Sequence, residues 1–419
     1  MNVETFNYSL ESLAPFFYLN KRDRKNIYIF STEKEALEFY NNFSNFVPEA
    51  SHFPAWDTLS YDSFTPSLEI QGKRLQTLHN LLVMESFDIA MSMKSFTQKI
   101  FINDLDVIDM QIGQEVDFEN LIENLAFLRY VNKDRVESRG TFSIRGGQID
   151  IYPLNSEYPI RIIFNGDEVV ELKLFDYITQ RSIKNIKKVL ITPSSELFQT
   201  NQEDIYKSLE IESKKDLDEY ELFQFSQNLE NFKSLLDFVP DDISINIIDF
   251  NSCKEVFSEL QKIEDDSFNN LQKFFSLNVS KMKSRYVDTL KEINKFETIF
   301  YATNDLENIS NVPQFLDGLS ADNVLQKINN LAKVYLSSSN EKITEKFSGI
   351  TNLQIAEHPF SYSAVFPEMS IAVIDESLFT NRKPKDKKVK HRKLNEESIL
   401  VPNTYVVHKF HGIGLYEGT

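Results

Sequence analysis

Residues 136–182 read VESRGTFSIRGGQIDIYPLNSEYPIRIIFNGDEVVELKLFDYITQRS, a run of short strand patterns punctuated by glycine, and no other stretch constrains the fold as tightly. Ile149 and Ile151 alternate with Asp150 and Tyr152, the period-2 pattern of a half-buried strand. A second strand, Ile160 to Phe164, ends at Asn165-Gly166, a strong hairpin signal. Val170, Leu172 and Leu174 resume the alternation on the return. Gly146-Gly147 follows Arg145 directly and permits backbone angles or close approaches that a side chain forbids. The stretch predicts a compact β-rich unit that carries Arg145 and Arg161 on its strands and is suited to being held by another protein.

At 419 residues the chain is too long for one ordinary domain, and about three units are expected. A hydrophobic content of 41% can fill several cores. No run approaches the roughly 18 uncharged apolar residues that span a bilayer. The opening MNVETFNYSLESL has neither a basic n-region nor an apolar h-region, so a cytoplasmic location with no membrane partner is expected. Cys253 is the only cysteine, which excludes a disulfide within the chain and a thiolate metal cage. Its context, Ile-Asp-Phe-Asn-Ser-Cys, holds no activating group, so the thiol reads as structural.

A net charge of −18 argues against a surface built throughout for phosphate. The exception is RKPKDKKVKHRK, beginning at Arg382. It reads either as a linker extended by self-repulsion or as a nucleic-acid contact, and no aromatic residues are interleaved to stack on bases.

The remaining pattern alternates strands and helices. Asn26 to Ser31 is an apolar strand, and Thr32 with Glu35 forms a capping box for a helix whose stripe is Ala36, Leu37, Phe39, Tyr40 and Phe43. A proline-bearing loop leads to a helix from about Ser67; Phe87 to Met91 is a strand, and Ser95 to Ile100 starts a helix. This rhythm is that of an α/β layer. Past the β-rich stretch, Glu203 to Val239 reads as charged and helical, Ile243 to Phe250 as a buried strand, Cys253 to Leu290 as helical and Thr298 to Thr303 as a strand. Lys333 to Ser337 and Ser370 to Asp375, with helical Asn340 to Phe347 between them, suggest a further small α/β unit. The chain stops at YVVHKFHGIGLYEGT, inside a strand pattern, as a fragment of a longer protein would.

No catalytic constellation is legible. Gly72-Lys73 is the one Gly-Lys pair, with Ser67 at the place of the first loop glycine and Arg74 at that of the metal-binding hydroxyl, so a phosphate cradle is missing. Gly412-Ile413-Gly414 is followed by Gly418 at the wrong spacing for a dinucleotide loop. His408 and His411 are the only close histidines and have no carboxylate or thiol partner nearby; structural roles fit them better. Asp57 and Asp62 flank the loop at Trp56, but with 63 acidic residues such pairs arise by chance. Catalytic, cofactor and metal sites are therefore expected to be absent from this chain.

Four blocks carry a resemblance: HFPAWDTLSYDSFTPSLEIQGKRLQTL (52–78), RGTFSIRGGQIDIYPLNSEYPIRIIFNGDE (139–168), LFDYITQRS (174–182) and TYVVHKFHGIGLYEG (404–418). Their order and spacing are similar to those of the bacterial transcription-repair coupling factors. The first three also resemble the excision-repair protein UvrB; the fourth block and the lost phosphate loop separate the two.

The resemblance implies a multidomain α/β and α+β chain. A degenerate P-loop-like α/β domain without ATP would occupy 1–110, with a β-rich UvrA-binding domain inserted at 111–200 and the rest of the UvrB-like part at 201–310. A small α/β domain would follow at 318–382, a basic linker at 383–398, and at 399–419 the start of a β-barrel-like RNA-polymerase-interacting domain. The ATP- and Mg-dependent motor, which contacts DNA and makes the whole protein a helicase-like translocase, would lie beyond Thr419.

Family positions that contact UvrA fall on Arg145, Arg161 and Asn165, where the family commonly has an aromatic at the last. For Arg145 the local alternative is support of its own turn through backbone carbonyls; for Arg161 it is the ordinary exposed strand arginine. Period-2 geometry puts Arg161, Ile163 and Asn165 on one strand face and Ile160, Ile162 and Phe164 on the other. The implied role is recruitment of UvrA to stalled RNA polymerase. The competing readings are a UvrB-like ATPase subunit of the excision nuclease, which needs a working phosphate loop, and a non-catalytic interaction scaffold.

Overall fold

A computed structural model describes residues 2–3, 10–20, 24–58, 65–101, 105–197, 202–209, 225, 232–271, 286–301, 313–380, 404–408 and 412–416. The basic segment from Arg382, His411 and Asp62 lie outside the described residues.

The first elements are β1 (Asn2–Val3), α1 (Leu10–Leu19), β2 (Lys25–Phe30), α2 (Glu33–Phe43), β3 (Ser51–Phe53), α3 (Leu68–Val83), β4 (Phe87–Ser92), α4 (Met93–Thr97) and β5 (Ile100–Phe101). The capping box read from sequence is present: Thr32 accepts from the Glu35 N–H, and Glu35 accepts from the Thr32 N–H. Ala36, Phe39 and Phe43 are buried, but Leu37 is 43% exposed, because it lies about 100° around the helix from Ala36 and off the inner stripe. Ser67 caps α3 by accepting from the Ile70 N–H. The fourth helix begins at Met93 rather than Ser95, capped by Ser92.

Next the chain builds β6 (Ile108–Gln111), α5 (Phe118–Phe127), β7 (Val131–Asn132), β8 (Thr141–Arg145), β9 (Gln148–Ile151), β10 (Ile160–Asn165), β11 (Glu168–Phe175), β12 (Ser182–Ile186) and β13 (Lys188–Ile191). Strands β7 to β12 form one sheet in sequence order, antiparallel except for β7 beside β8. Strands β6 and β13 pair antiparallel, so the segment enters and leaves this unit side by side. One face buries Phe142, Ile149, Ile151, Ile160, Ile162 and Leu172 against Leu121 and Leu125 of α5.

The chain then returns through α6 (Gln202–Leu209), β14 (Phe232–Lys233), β15 (Ser244–Ile248), α7 (Phe250–Leu271) and β16 (Glu297–Tyr301). The helix expected from Cys253 to Leu290 starts three residues earlier, at Phe250, and is described as far as Leu271, the next residues of that expectation lying outside the described ones. A six-stranded, wholly parallel sheet results, in the order β1-β16-β15-β2-β4-β3. Its strands come from both sides of the antiparallel unit. Its faces are divided by alternation: Ile27 and Ile29 pack with α3, α4 and α7, while Tyr28 and Phe30 pack with α1 and α2. Helices cover both faces, which is why β15, β2 and β4 read as nearly continuous apolar runs.

Beyond lie β17 (Gln314–Phe315), α8 (Ala321–Ile328), β18 (Lys333–Ser337), α9 (Glu341–Phe347), β19 (Leu353–Ile355), β20 (Ala364–Phe366) and β21 (Ile371–Asp375), a five-stranded sheet in the order β17-β20-β21-β18-β19. Its outer face packs on α8 and α9. Tyr335, Phe360 and Val373 on its inner side join the aromatic cluster of α1 and α2, with Phe46 and Tyr335 ring centroids 4.5 Å apart. Last come β22 (Thr404–His408) and β23 (Gly412–Tyr416), an antiparallel hairpin. The fold is thus mixed α/β, with parallel and antiparallel sheets. No described helix is long and apolar enough to cross a membrane.

Candidate functional site: the arginine face of the antiparallel sheet

Cross-strand register assembles one face of the β8–β12 sheet. Ser143 stands opposite Asp150, Asp150 opposite Arg161, Arg161 opposite Lys173 and Lys173 opposite Asn185. The neighbouring row runs Arg145, Gln148, Ile163 and Glu171. Both sequence-selected arginines therefore lie on the face turned away from α5, in adjacent rows.

Arg161 is held in place. Its Nε–H donates to Asp150 Oδ1 at 2.8 Å and an Nη2–H donates to Oδ2 at 2.9 Å, a bidentate pair. Gln148 also donates to Oδ1, at 2.9 Å. The Arg161 Cζ sits 4.7 Å from the Phe175 ring centroid. The Asp150 hydrogen bonds raise the already high pKa of Arg161, so its charge is fixed. The pair is partly shielded, with side chains 17% exposed for Arg161 and 4% for Asp150.

Asp150 and Tyr152 correct the expectation of a half-buried strand, since both are buried like Ile149 and Ile151. Val136, Tyr152 and Phe175 make a small second core on the arginine side, and Arg161 roofs the Asp150 carboxylate. Sequence reading passed over Asp150 as a solvent-facing strand residue. The available signal was a carboxylate at strand spacing from an arginine, which becomes informative only with the register.

Arg145 is exposed, with one hydrogen bond, from Nη2 to the Asp134 carbonyl at 2.8 Å. It thus supports the adjoining loop, as the local alternative foresaw, while most of the guanidinium faces solvent. Asn165 is exposed at the end of β10, and Phe164 is buried against Phe118 in an edge-to-face contact at 5.2 Å.

The turns differ in detail from the expected Asn-Gly loop. Asn165 pairs with Glu168, so the two-residue loop is Gly166-Asp167, with Gly166 at φ 63°. Gly146-Gly147 is built alike: Arg145 pairs with Gln148, and Gly146 has φ 60°. A glycine of positive φ at the first loop position matches the right-handed twist of the flanking strands. A Cβ on Gly147 would stand 3.1 Å from the Phe164 carbonyl oxygen, the close approach foreseen there. A bulge places Ile163 opposite Glu171 and Phe164 opposite Val169, so Val169 rather than Val170 enters the core.

The Gly72-Lys73 pair lies inside α3, and Lys73 is paired with Glu69 at the surface, 2.8 Å apart. At the β2–α2 junction, Ser31 and Thr32 separate strand from helix, and the Glu35 carboxylate takes the Ser31 hydroxyl at 2.6 Å and the Thr32 N–H at 3.1 Å. A carboxylate of the chain occupies the helix end where a phosphate would sit. Neither place is a phosphate cradle.

Residues 108–197, which contain the arginine face, match the UvrB interaction domain. The antiparallel unit and its arginine face are thus similar to an interaction domain of the UvrB type. Over most of its length this chain is similar to transcription-repair-coupling factors. It is 26% identical over 439 residues to that of Bacillus subtilis (strain 168), covering 87% of the chain and 37% of the relative. To that of Staphylococcus aureus (strain MRSA252) it is 24% identical over 457 residues, covering 92% of the chain and 38% of the relative. To that of Escherichia coli (strain K12) it is 29% identical over 168 residues, covering 39% of the chain and 14% of the relative. The resemblance read from the four sequence blocks is borne out, and the chain spans less than two-fifths of the length of these relatives.

Proposed function

We propose that this chain is the UvrA-recruiting portion of a transcription-repair coupling factor. It works in the cytoplasm at lesions where RNA polymerase has stalled, and the ATP-driven, DNA-engaging motor that displaces the polymerase belongs to the longer protein. The hairpin of β22 and β23 fits the beginning of the polymerase-contacting part.

The observation that carries this reading is the placement of Arg145 and Arg161 in adjacent rows of one face within the region matching the UvrB interaction domain. Arginine forks suit carboxylate and carbonyl groups on a partner. Asn165 lies at the rim of the same face.

Calorimetric titration of the chain with UvrA tests the proposal. Saturable binding is expected, and Arg145→Ala with Arg161→Ala should weaken it by roughly 30-fold or more, the effect of losing about 2 kcal/mol of interface energy. Absence of binding, or affinity untouched by the double change, would sink it.

A further inference from the structure

We propose that Asp150 is a positioning residue for docking: buried beneath the arginine face, it aims the outward edge of Arg161 at oxygen acceptors on the partner. The inference deepens the function above and rests on Arg161 being a contact residue.

Asp150 stands directly opposite Arg161 in the β9–β10 register, and its side chain is 4% exposed, so it cannot itself reach a partner. The guanidinium is a rigid planar fork with five N–H groups. Two of them bind the two oxygens of the one carboxylate, at 2.8 and 2.9 Å, which fixes the plane and turns the other three away from Asp150. Those three have no acceptor among the described residues. Gln148, donating at 2.9 Å to the same Oδ1 that takes the Arg161 Nε–H, steadies the carboxylate further, and the Phe175 ring lies 4.7 Å from the guanidinium carbon.

An arginine held in this way has little freedom left to lose on binding. Ordering a free long side chain at an interface weakens affinity by roughly threefold to tenfold. Arg145 is the contrast, since a single bond to a backbone carbonyl leaves it exposed and loosely aimed.

The sign of one substitution separates positioning from simple electrostatics. Asp150→Asn removes a negative charge from an arginine-bearing face. Attraction to an acidic partner would then tighten binding, whereas loss of positioning weakens it.

The experiment measures UvrA affinity by calorimetry for the chain and for Asp150→Asn, Arg161→Ala, Arg145→Ala and the two double variants containing Asp150→Asn, with native fold verified by circular dichroism. Asp150→Asn should weaken binding roughly threefold to tenfold. It should add nothing once Arg161 is alanine, and act in full when Arg145 is alanine. If Asp150→Asn fails to fold, Asp150→Glu, which keeps the charge but shifts the carboxylate by one methylene, takes its place with the same expected pattern. An Arg161→Ala chain that binds normally overturns this inference, whereas the docking function falls only if the parent chain shows no saturable binding or the Arg145→Ala, Arg161→Ala double variant binds normally. An Arg161→Ala chain that binds weakly overturns this inference alone if the Asp150 variant binds as well as or better than the parent, or if its loss persists without Arg161.

Discussion

Arg74 and Glu196 form an ion pair of 2.9 Å in which the side chains are 0% and 3% exposed. Glu196 also accepts the Trp56 indole N–H at 2.9 Å, and Arg74 donates to the Pro54 carbonyl at 2.9 Å. This cluster ties α3 and the loop after β3 to the exit of the antiparallel unit. Burial pushes Arg74 down and Glu196 up, because dehydration outweighs their mutual attraction for each.

The pair therefore fixes a geometry more than it adds stability. Glu196→Gln or Arg74→Met alone should cost about 3–5 kcal/mol, by stranding the opposite charge. Arg74→Met combined with Glu196→Leu should recover most of that loss. Chemical denaturation of the three variants checks this, and a double variant no more stable than the worse single one would refute it.

At Gly72, α3 faces the Leu154 backbone of the antiparallel unit with no room for a side chain. A Cβ there would lie 2.2 Å from the Leu154 carbonyl oxygen and 2.4 Å from its carbon, atoms of a backbone that cannot simply rotate aside. Gly72→Ala should therefore cost about 2–3 kcal/mol by overpacking. Gly349→Ala meets nothing within 4 Å and should shift stability by no more than about 0.5 kcal/mol. Paired melting curves distinguish them.

Acid sensitivity should trace in part to Glu33. Burial alone would raise its carboxyl, but hydrogen bonds from His52, Ser92 and the Ala55 N–H outweigh burial and hold it below the ordinary range. A depressed folded-state pKa contributes stability above the unfolded value that is lost as pH falls through the folded one. Acidification should accordingly destabilise the parent chain more than Glu33→Gln. Equal losses on the way down from neutral pH would remove Glu33 from the acid response.

Cys253 should be inert in the folded chain. It is fully buried, with Sγ 3.4 Å from the Ile248 carbonyl oxygen, and burial pushes the thiol up to about 12, helped by Asp249 and Glu35. Iodoacetamide at mildly alkaline pH should label the denatured chain completely and the native one negligibly. Rapid native labelling would contradict the packing around α7.

Asn165 offers a gain-of-binding test. It is exposed beside the arginine rows, at the position where the resemblance to the coupling factors implied an aromatic. Asn165→Phe should tighten UvrA binding by roughly tenfold, since aromatic anchors beside arginines concentrate interface energy. An unchanged affinity would place the contact away from this hairpin.

Local chemistry alone determined much of this molecule. Thr32 and Glu35 cap α2 through bonds closed within four residues, and alternation along β10 separates Arg161 and Ile163 from the buried Ile160, Ile162 and Phe164. Such features depend on period and near neighbours, which a linear sequence records. Tertiary structure decided the rest. The bulge that turns Val169 inward, the helical setting of Gly72-Lys73 and the burial of Asp150 beneath Arg161 all depend on which segments meet. Arg74 and Glu196, 122 residues apart, look like ordinary surface charges until packing removes water from both. Register, burial and dehydration are properties of contacts between distant segments, and so the sequence selected the arginines while only the fold showed what holds one of them.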